Sequence, residues 1–214
     1  QVVATEAMIF AMEKARESAI AAVGVHRISH VGRLGEYTEM AAKAGLAAFA
    51  FVNTPGKRPV VAPFGGAKAV WGTNPMAVAL PTGEPVFSID FATSKVAFAK
   101  TTLARYEGDE LPEGCAIDRE GRPTQDPWAL MHGGTLLPFG EHKGYALSFL
   151  VELLTGALIG SVNPEPAGDR KAAGLLFVVF DPARFSPGEL FDTDVRGLFQ
   201  TVKECPLPKD LRRF

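Results

Sequence analysis

Three stretches of this 214-residue chain gather side chains able to move protons or hold charge. The first, S-H-V-G-R-L-G-E-Y at 29–37, places His30 just ahead of Gly32 and Gly35. An imidazole exchanges a proton near neutral pH, and glycines let backbone approach a ligand closely. Arg33 presents a planar fork that can grip a carboxylate through two hydrogen bonds. The second, P-V-F-S-I-D-F-A-T-S at 85–94, ends a strand pattern on Asp90. A carboxylate there can accept from ribose hydroxyls or cap a turn. The third, L-P-F-G-E-H-K-G-Y-A-L at 137–147, puts Glu141, His142 and Lys143 at the start of an apolar helix. A helix N-terminus offers free N–H groups and positive potential to an anion, and Lys143 adds a point charge suited to phosphate. A bonded loop histidine, a solvated arginine and a solvated helix start are the plain alternatives that residue types alone leave open.

What is missing narrows the chemistry. No G-x-G-x-x-G opens a helix after a strand, so the Rossmann fingerprint is absent, and so is a Walker A sequence. His30, Asp90, Glu141 and His142 show neither H-x-x-x-H nor H-E-x-x-H spacing, so no metal is expected. A net charge of −2 argues against a nucleic-acid partner. The apolar run A-L-S-F-L-V-E-L-L-T-G-A-L-I-G contains Glu152 and falls short of the ~20 residues of a membrane span, so no membrane partner is expected. Cys115 and Cys205 are isolated and read as reduced thiols. With no secretory signal, the expected location is cytoplasmic.

Hydrophobic periodicity supplies the elements that must position these groups. Met8, Met12, Ala15 and Ala19 recur at spacings of four, three and four, which predicts an amphipathic helix over 4–20. A-A-V-G-V-H-R (21–27) reads as a short buried strand. A helix follows from Gly35 to Ala44, with Gly45 at its C′ position, and L-A-A-F-A-F-V (46–52) reads as a second buried strand. Residues 53–75 form a long turn-rich connection. M-A-V-A-L-P and P-V-F-S-I-D-F-A flank T-G-E as an antiparallel hairpin. A helix over 93–107 takes Thr93 or Ser94 as its N-cap, and 108–140 read as loops. Residues 141–160, apolar on nearly every face, predict a buried central helix. A polar loop (161–174), a third strand (175–181) and a final helix (187–204) follow. This alternation predicts one α/β domain over 1–214 with a mixed sheet.

Four segments occur in one order and at close spacing: S-H-V-G-R-L-G-E-Y-T-E-M-A-A-K-A-G-L-A-A-F-A-F-V-N-T, V-A-P-F-G-G-A-K-A-V-W-G-T-N-P-M-A-V-A-L-P, I-D-F-A-T-S, and L-P-F-G-E-H-K-G-Y-A-L with the helix after it. Together they resemble the malate/L-lactate dehydrogenase type 2 family. This sulfolactate dehydrogenase-like group includes ureidoglycolate dehydrogenase, diketogulonate reductase and Δ1-piperideine-2-carboxylate reductase. The similarity covers nearly the whole chain. It implies a non-Rossmann, three-layer α/β/α nucleotide-binding domain, usually in a homodimer. It also implies hydride transfer between NAD or NADP and a small 2-oxo or 2-hydroxy acid such as malate or lactate. By position, the resemblance makes His30 the acid/base group. It makes Thr54, Asp90, Phe91, Ala92, His142, Lys143 and Gly144 cofactor contacts. Arg33 and Tyr37 lie in the first motif and are assigned to the substrate side. The family's N-terminal helical segment and C-terminal end are expected to be absent from this chain.

Two other readings stand beside this one: an NADPH-dependent cyclic imine carboxylate reductase, and a nucleotide-binding fragment without catalysis. The choice of NAD or NADP is open, since Lys57 and Arg58 suit either a 2′-phosphate or plain solvation.

Overall fold

Alternation along the strands decides which face of the central sheet is covered. In a computed structural model, which describes residues 1–53, 59–161 and 172–206, strand β1 spans Ile20–Ile28 and β2 spans Ala47–Val52. Along β2, Ala48, Ala50 and Val52 are buried while Phe49 and Phe51 are half-buried, because successive side chains point to opposite faces. Two helices lie on the first of these faces: α1 (Val2–Ser18) against β1 and β8 (Ala173–Phe180), and α2 (Gly35–Lys43) against β2 and β3 (Met76–Leu80). Ala4, Met8, Ala11, Met12 and Ala15 of α1 share one core with Ala48, Ala50, Ala77, Leu175, Phe177 and Val179. The small alanine side chains let the helices sit close to the sheet.

Five strands form the sheet in the order β1-β8-β2-β3-β4, with β4 spanning Phe87–Phe91. Every pairing among them is antiparallel, which corrects the expected mixed sheet. β1 and β2 do run in the same direction, as helix–strand alternation implies. But β8, from the far end of the sequence, lies between them and opposes both. β1 is consequently an edge strand, with only Ala21 buried, and not the buried strand its composition predicts.

The second face is covered differently. Helix α4 (His142–Val151) passes into a π-helical turn over Glu152–Ala157. That turn lies on β8, where a Cβ added at Gly174 would stand 1.7 Å from the Thr155 carbonyl oxygen. The predicted buried helix over 141–160 is corrected here. Of α4 only Gly144, Ser148 and Val151 are buried, and Phe149, Leu150 and Leu153 are 42–46% exposed.

Residues 108–140 also hold more than loops. Short strands β5 (Ala116–Ile117), β6 (Pro123–Thr124) and β7 (Thr135–Leu136) form a second sheet around Val61, Leu111, Cys115 and Leu136. Helix α3 spans Phe98–Glu107 and begins after Ala97, not at Thr93 or Ser94. The Thr93 hydroxyl instead donates to the carbonyls of Thr73 and Asn74, and that of Ser94 to Val96, tying this segment inward. Helix α5 (Gly188–Glu204) closes the described chain as expected. Among the described residues no helix is long and apolar enough to cross a membrane. Most of the predicted polar loop, residues 162–171, lies outside the described residues.

Gly174→Ala should destabilise the fold by about 3 kcal/mol or more, because a methyl there overlaps backbone that cannot rotate away. Urea unfolding checks this, and an unchanged midpoint would refute the contact.

Candidate active site

The loop that carries His30 has no regular structure of its own, yet it is held at nearly every residue. Val31 and Leu34 anchor it in the core. The Gly32 N–H donates to His30 Nδ1 at 3.1 Å, with Gly32 at φ +86, a conformation that favours glycine. With Nδ1 accepting, the neutral ring of the exposed His30 carries its proton on Nε2. The Tyr37 hydroxyl donates to the Val31 carbonyl, and its ring packs on Phe177 with centroids 5.6 Å apart. Tyr37 is 2% exposed. It was expected on the substrate side, but α2 turns it to the sheet, where it supports the loop from behind. Burial, and then the nearby Glu36 carboxylate, push its phenol pKa up.

Arg33 is not a free fork. Its two terminal nitrogens donate to the two carboxylate oxygens of Glu39 at 2.8 and 2.7 Å, and Ser88 Oγ donates to Glu39 Oε1 at 2.9 Å. The bond from Arg33 holds the Glu39 carboxyl at about 2, with Ser88 adding to the effect against partial burial. Asp90 sits two residues beyond Ser88 on the same face of β4. Its Oδ2 accepts the Gly35 N–H at 2.7 Å. Gly35 opens α2, which has no side-chain cap of its own at Leu34. Asp90 therefore caps α2 from another strand and places negative charge at the positive end of the helix.

The second and third sequence stretches meet beside this loop. The Phe91 ring packs edge-on against Phe139 at 5.6 Å. Phe139 N–H donates to Thr93 O at 3.0 Å, and Thr93 N–H to Thr73 O at 2.9 Å. Ala92 lies half-buried between Phe91 and Thr93. At the start of α4, Gly140 and Glu141 take φ +52 and +57, and no side chain caps the helix. A Cβ at Gly144 would stand 2.0 Å from Phe139 O, so only glycine lets the helix start lie on this turn. His142 and Lys143 are exposed in the first turn, with His142 edge-on to Phe64 at 6.0 Å. The Lys143 N–H donates to the Gly140 carbonyl at 3.1 Å and the Gly144 N–H to that of Phe139 at 3.0 Å, so the turn before the helix occupies these donors. Thr54, expected to touch the cofactor, lies outside the described residues, as do Lys57 and Arg58.

Glu152 was not among the expected site residues. Its carboxylate accepts from Asn53 Nδ2 at 3.3 Å and Asn74 Nδ2 at 3.2 Å. Asn74 is fully buried at φ +41 and also donates to the Ser148 carbonyl at 3.1 Å. Asn53 Oδ1 accepts the Gly174 N–H at 2.7 Å. One carboxylate thus binds the end of β2, the loop before β3 and α4. Positive-φ residues other than glycine are uncommon and gather at functional sites. Asn74 and Glu141 both lie on segments that border this region.

The model of the malate/L-lactate dehydrogenase family matches residues 1–212. The chain belongs to this family. A malate/(S)-sulfolactate dehydrogenase from Methanothermus fervidus is 37% identical over 227 residues, which take in 100% of this chain and 65% of that protein. A (2R)-3-sulfolactate dehydrogenase (NADP(+)) from Chromohalobacter salexigens is 42% identical over 202 residues, 91% of this chain and 59% of its own length. The solved Δ1-piperideine-2-carboxylate reductase of Pseudomonas syringae superposes with a TM-score of 0.79 at 34% identity, covering 96% of this chain and 64% of that one. This family member therefore spans roughly three fifths of these relatives.

Glu39 gives a pH signature. Its carboxyl falls from an ordinary 4.5 to about 2 in the fold. The stabilisation is thus complete above pH 4.5 and lost as pH falls through about 2. Glu39→Gln should cost about 1–2 kcal/mol at pH 7, less than the full shift implies because Arg33 is over half exposed. The gap should close between pH 4.5 and 2. Urea unfolding across that range checks it, and a gap independent of pH would overturn it.

Proposed function

We propose that the protein transfers a hydride between NAD(P)H and a small 2-oxo or 2-hydroxy acid, and that this chain carries the cofactor side and part of the substrate side. The observation that carries the reading is the continuous line of contacts from the His30 loop through Asp90 and Phe91 to Phe139 and the start of α4. Family membership supplies the reaction class. On this reading the fold is the family's non-Rossmann, three-layer α/β/α domain. The protein works as a cytoplasmic homodimer, and of these features the fold detail and the dimer rest on the family resemblance.

The residues present suit a nicotinamide nucleotide. Gly144 clears the approach of helix and turn, and the positive end of α4 with Lys143 in its first turn suits a phosphate. Asp90, Phe91, Ala92, His142, Lys143 and Gly144 would hold the nucleotide, together with Thr54 by the family resemblance. The nucleotide supplies or receives the hydride at its own ring, and the protein supplies position and charge. His30 presents Nε2 to the substrate oxygen. In reduction His30 acts as the imidazolium: Nε2 gives its proton to the oxygen of the former carbonyl as C2 gains the hydride, and the ring is left neutral with its remaining proton on Nδ1. In oxidation that proton returns. The Gly32 bond to Nδ1 aims the neutral ring whose proton sits on Nε2, and it opens when Nδ1 is protonated.

A second reading, reduction of a cyclic imine carboxylate, is favoured by the likeness to the Δ1-piperideine-2-carboxylate reductase. There His30 would protonate the imine nitrogen. Oxidation of NADH and NADPH, followed by absorbance against pyruvate, oxaloacetate, sulfopyruvate and Δ1-piperideine-2-carboxylate, separates the two. The expected result is turnover of an acyclic 2-oxo acid. Nucleotide binding without turnover of any of them would mark a non-catalytic fragment.

His30→Ala should lower turnover by roughly 10²–10⁴-fold, the scale of a lost general acid. Near-normal turnover would remove His30 from the mechanism. Lys143→Gln should weaken nucleotide binding by about tenfold, the worth of one exposed charge–phosphate contact. Fluorescence titration with NADH and NADPH checks it, and equal affinity in variant and parent would remove Lys143 from the phosphate site.

A further inference from the structure

We propose that Arg33, Glu39 and Ser88 form a strut that positions the His30 loop, and that Arg33 does not clamp the substrate carboxylate. This rests on the reading of His30 as the proton-exchanging group. Both terminal nitrogens of Arg33 donate to Glu39, in the two-pronged geometry that matches a carboxylate best. A substrate carboxylate would find the guanidinium's orientation and charge already committed to Glu39. Glu39 is in turn held by Ser88, whose strand also provides Asp90. The loop is therefore fastened to β4 twice: from Arg33 through Glu39 to Ser88, and from Gly35 directly to Asp90.

Gly35 shows how closely the two fastenings are fitted. A Cβ there would lie 2.8 Å from Arg33 Nη1 and 3.0 Å from Asp90 Oδ2. The guanidinium crosses the start of α2 through the space that a side chain would fill. His30 stands three residues before Arg33, and the bonds from Gly32 to Nδ1 and from Tyr37 to Val31 cover the interval. A displacement of Arg33 would therefore pass along a short, bonded segment to the imidazole.

The strut and the clamp predict opposite kinetics. In the full-length protein, Glu39→Gln and Arg33→Gln should each lower kcat by about 10- to 100-fold, the cost of an acid held slightly out of place. The double variant should be no worse than the poorer single one, because both remove one interaction. Ser88→Ala should fall in the same direction by less. KM for the oxo acid and the NADH dissociation constant should stay within about twofold. Arg33→Lys should restore only part of kcat, since an ammonium cannot bridge both oxygens.

A clamp gives a different pattern. Arg33→Gln raises KM at least tenfold with kcat held, and Glu39→Gln frees the guanidinium and lowers KM. That pattern, or unchanged kcat in both single variants, overturns the proposal. Amide hydrogen exchange over residues 29–35 gives a readout independent of turnover. Faster exchange in both variants supports the strut, and parental exchange overturns it. A parent enzyme inactive on every oxo acid and imine would sink the hydride-transfer reading, while the exchange measurement still decides the strut.

Discussion

The bond from Gly35 N–H to Asp90 Oδ2 is the contact on which the rest of the site depends. It spans 55 residues of sequence and 2.7 Å of space. A single carboxylate satisfies an orphan donor at the start of α2, places negative charge at the helix's positive end, and joins the proton-handling loop to the strand that leads to Phe91. Because Asp90 lies on the helix-covered face of β4, opposite Ala77, the contact also sets where α2 begins on the sheet. The Phe91 ring then meets Phe139, and Phe139 leads into α4. The three chemically suggestive stretches are neighbours because this line of contacts is unbroken.

The absence of side chains serves the same end. Gly35, Gly144 and Gly174 each stand where a Cβ would overlap another segment. At Gly35 the intruding atoms belong to Arg33 and Asp90, at Gly144 to the Phe139 backbone, and at Gly174 to the π-helical turn. The alanine face of the sheet works in the same manner over a wider area, letting α1 and α2 approach until the interior is close-packed. Glu152 adds a polar junction on the opposite face, where two asparagine amides converge on it. Each amide donates to one oxygen of the half-buried Glu152 carboxylate.

Much of the architecture was legible in sequence because it is local. The α1 spacing of Met8, Met12 and Ala15, the start of α2 at Gly35, the β3–β4 hairpin around T-G-E and the helix ending at Glu204 all arise from periodicity and turn chemistry within a few residues. The sequence is less legible where a distant segment decided. Thr93 and Ser94 look like helix caps, but their hydroxyls are drawn to Thr73, Asn74 and Val96. Tyr37 shares a motif with His30, yet helical rotation turns it into the core. Arg33 looks free because Glu39 and Ser88 are six and 55 residues away, beyond any helical pairing rule.

By itself the sequence determined the types of the longer elements, the family, and the three stretches that border the candidate site, because periodicity, turn residues and motif order are properties of the chain alone. Tertiary structure decided the rest. It inserted β8 between β1 and β2 and so made the sheet antiparallel, turned the central helix into a half-exposed one, and assigned the charged groups their partners. The physical reason is that a side chain's role depends on which donor or acceptor reaches it across the fold. Asp90 can bind a ribose or cap a helix with the same two oxygens, and only the position of the Gly35 N–H shows that one of them caps α2.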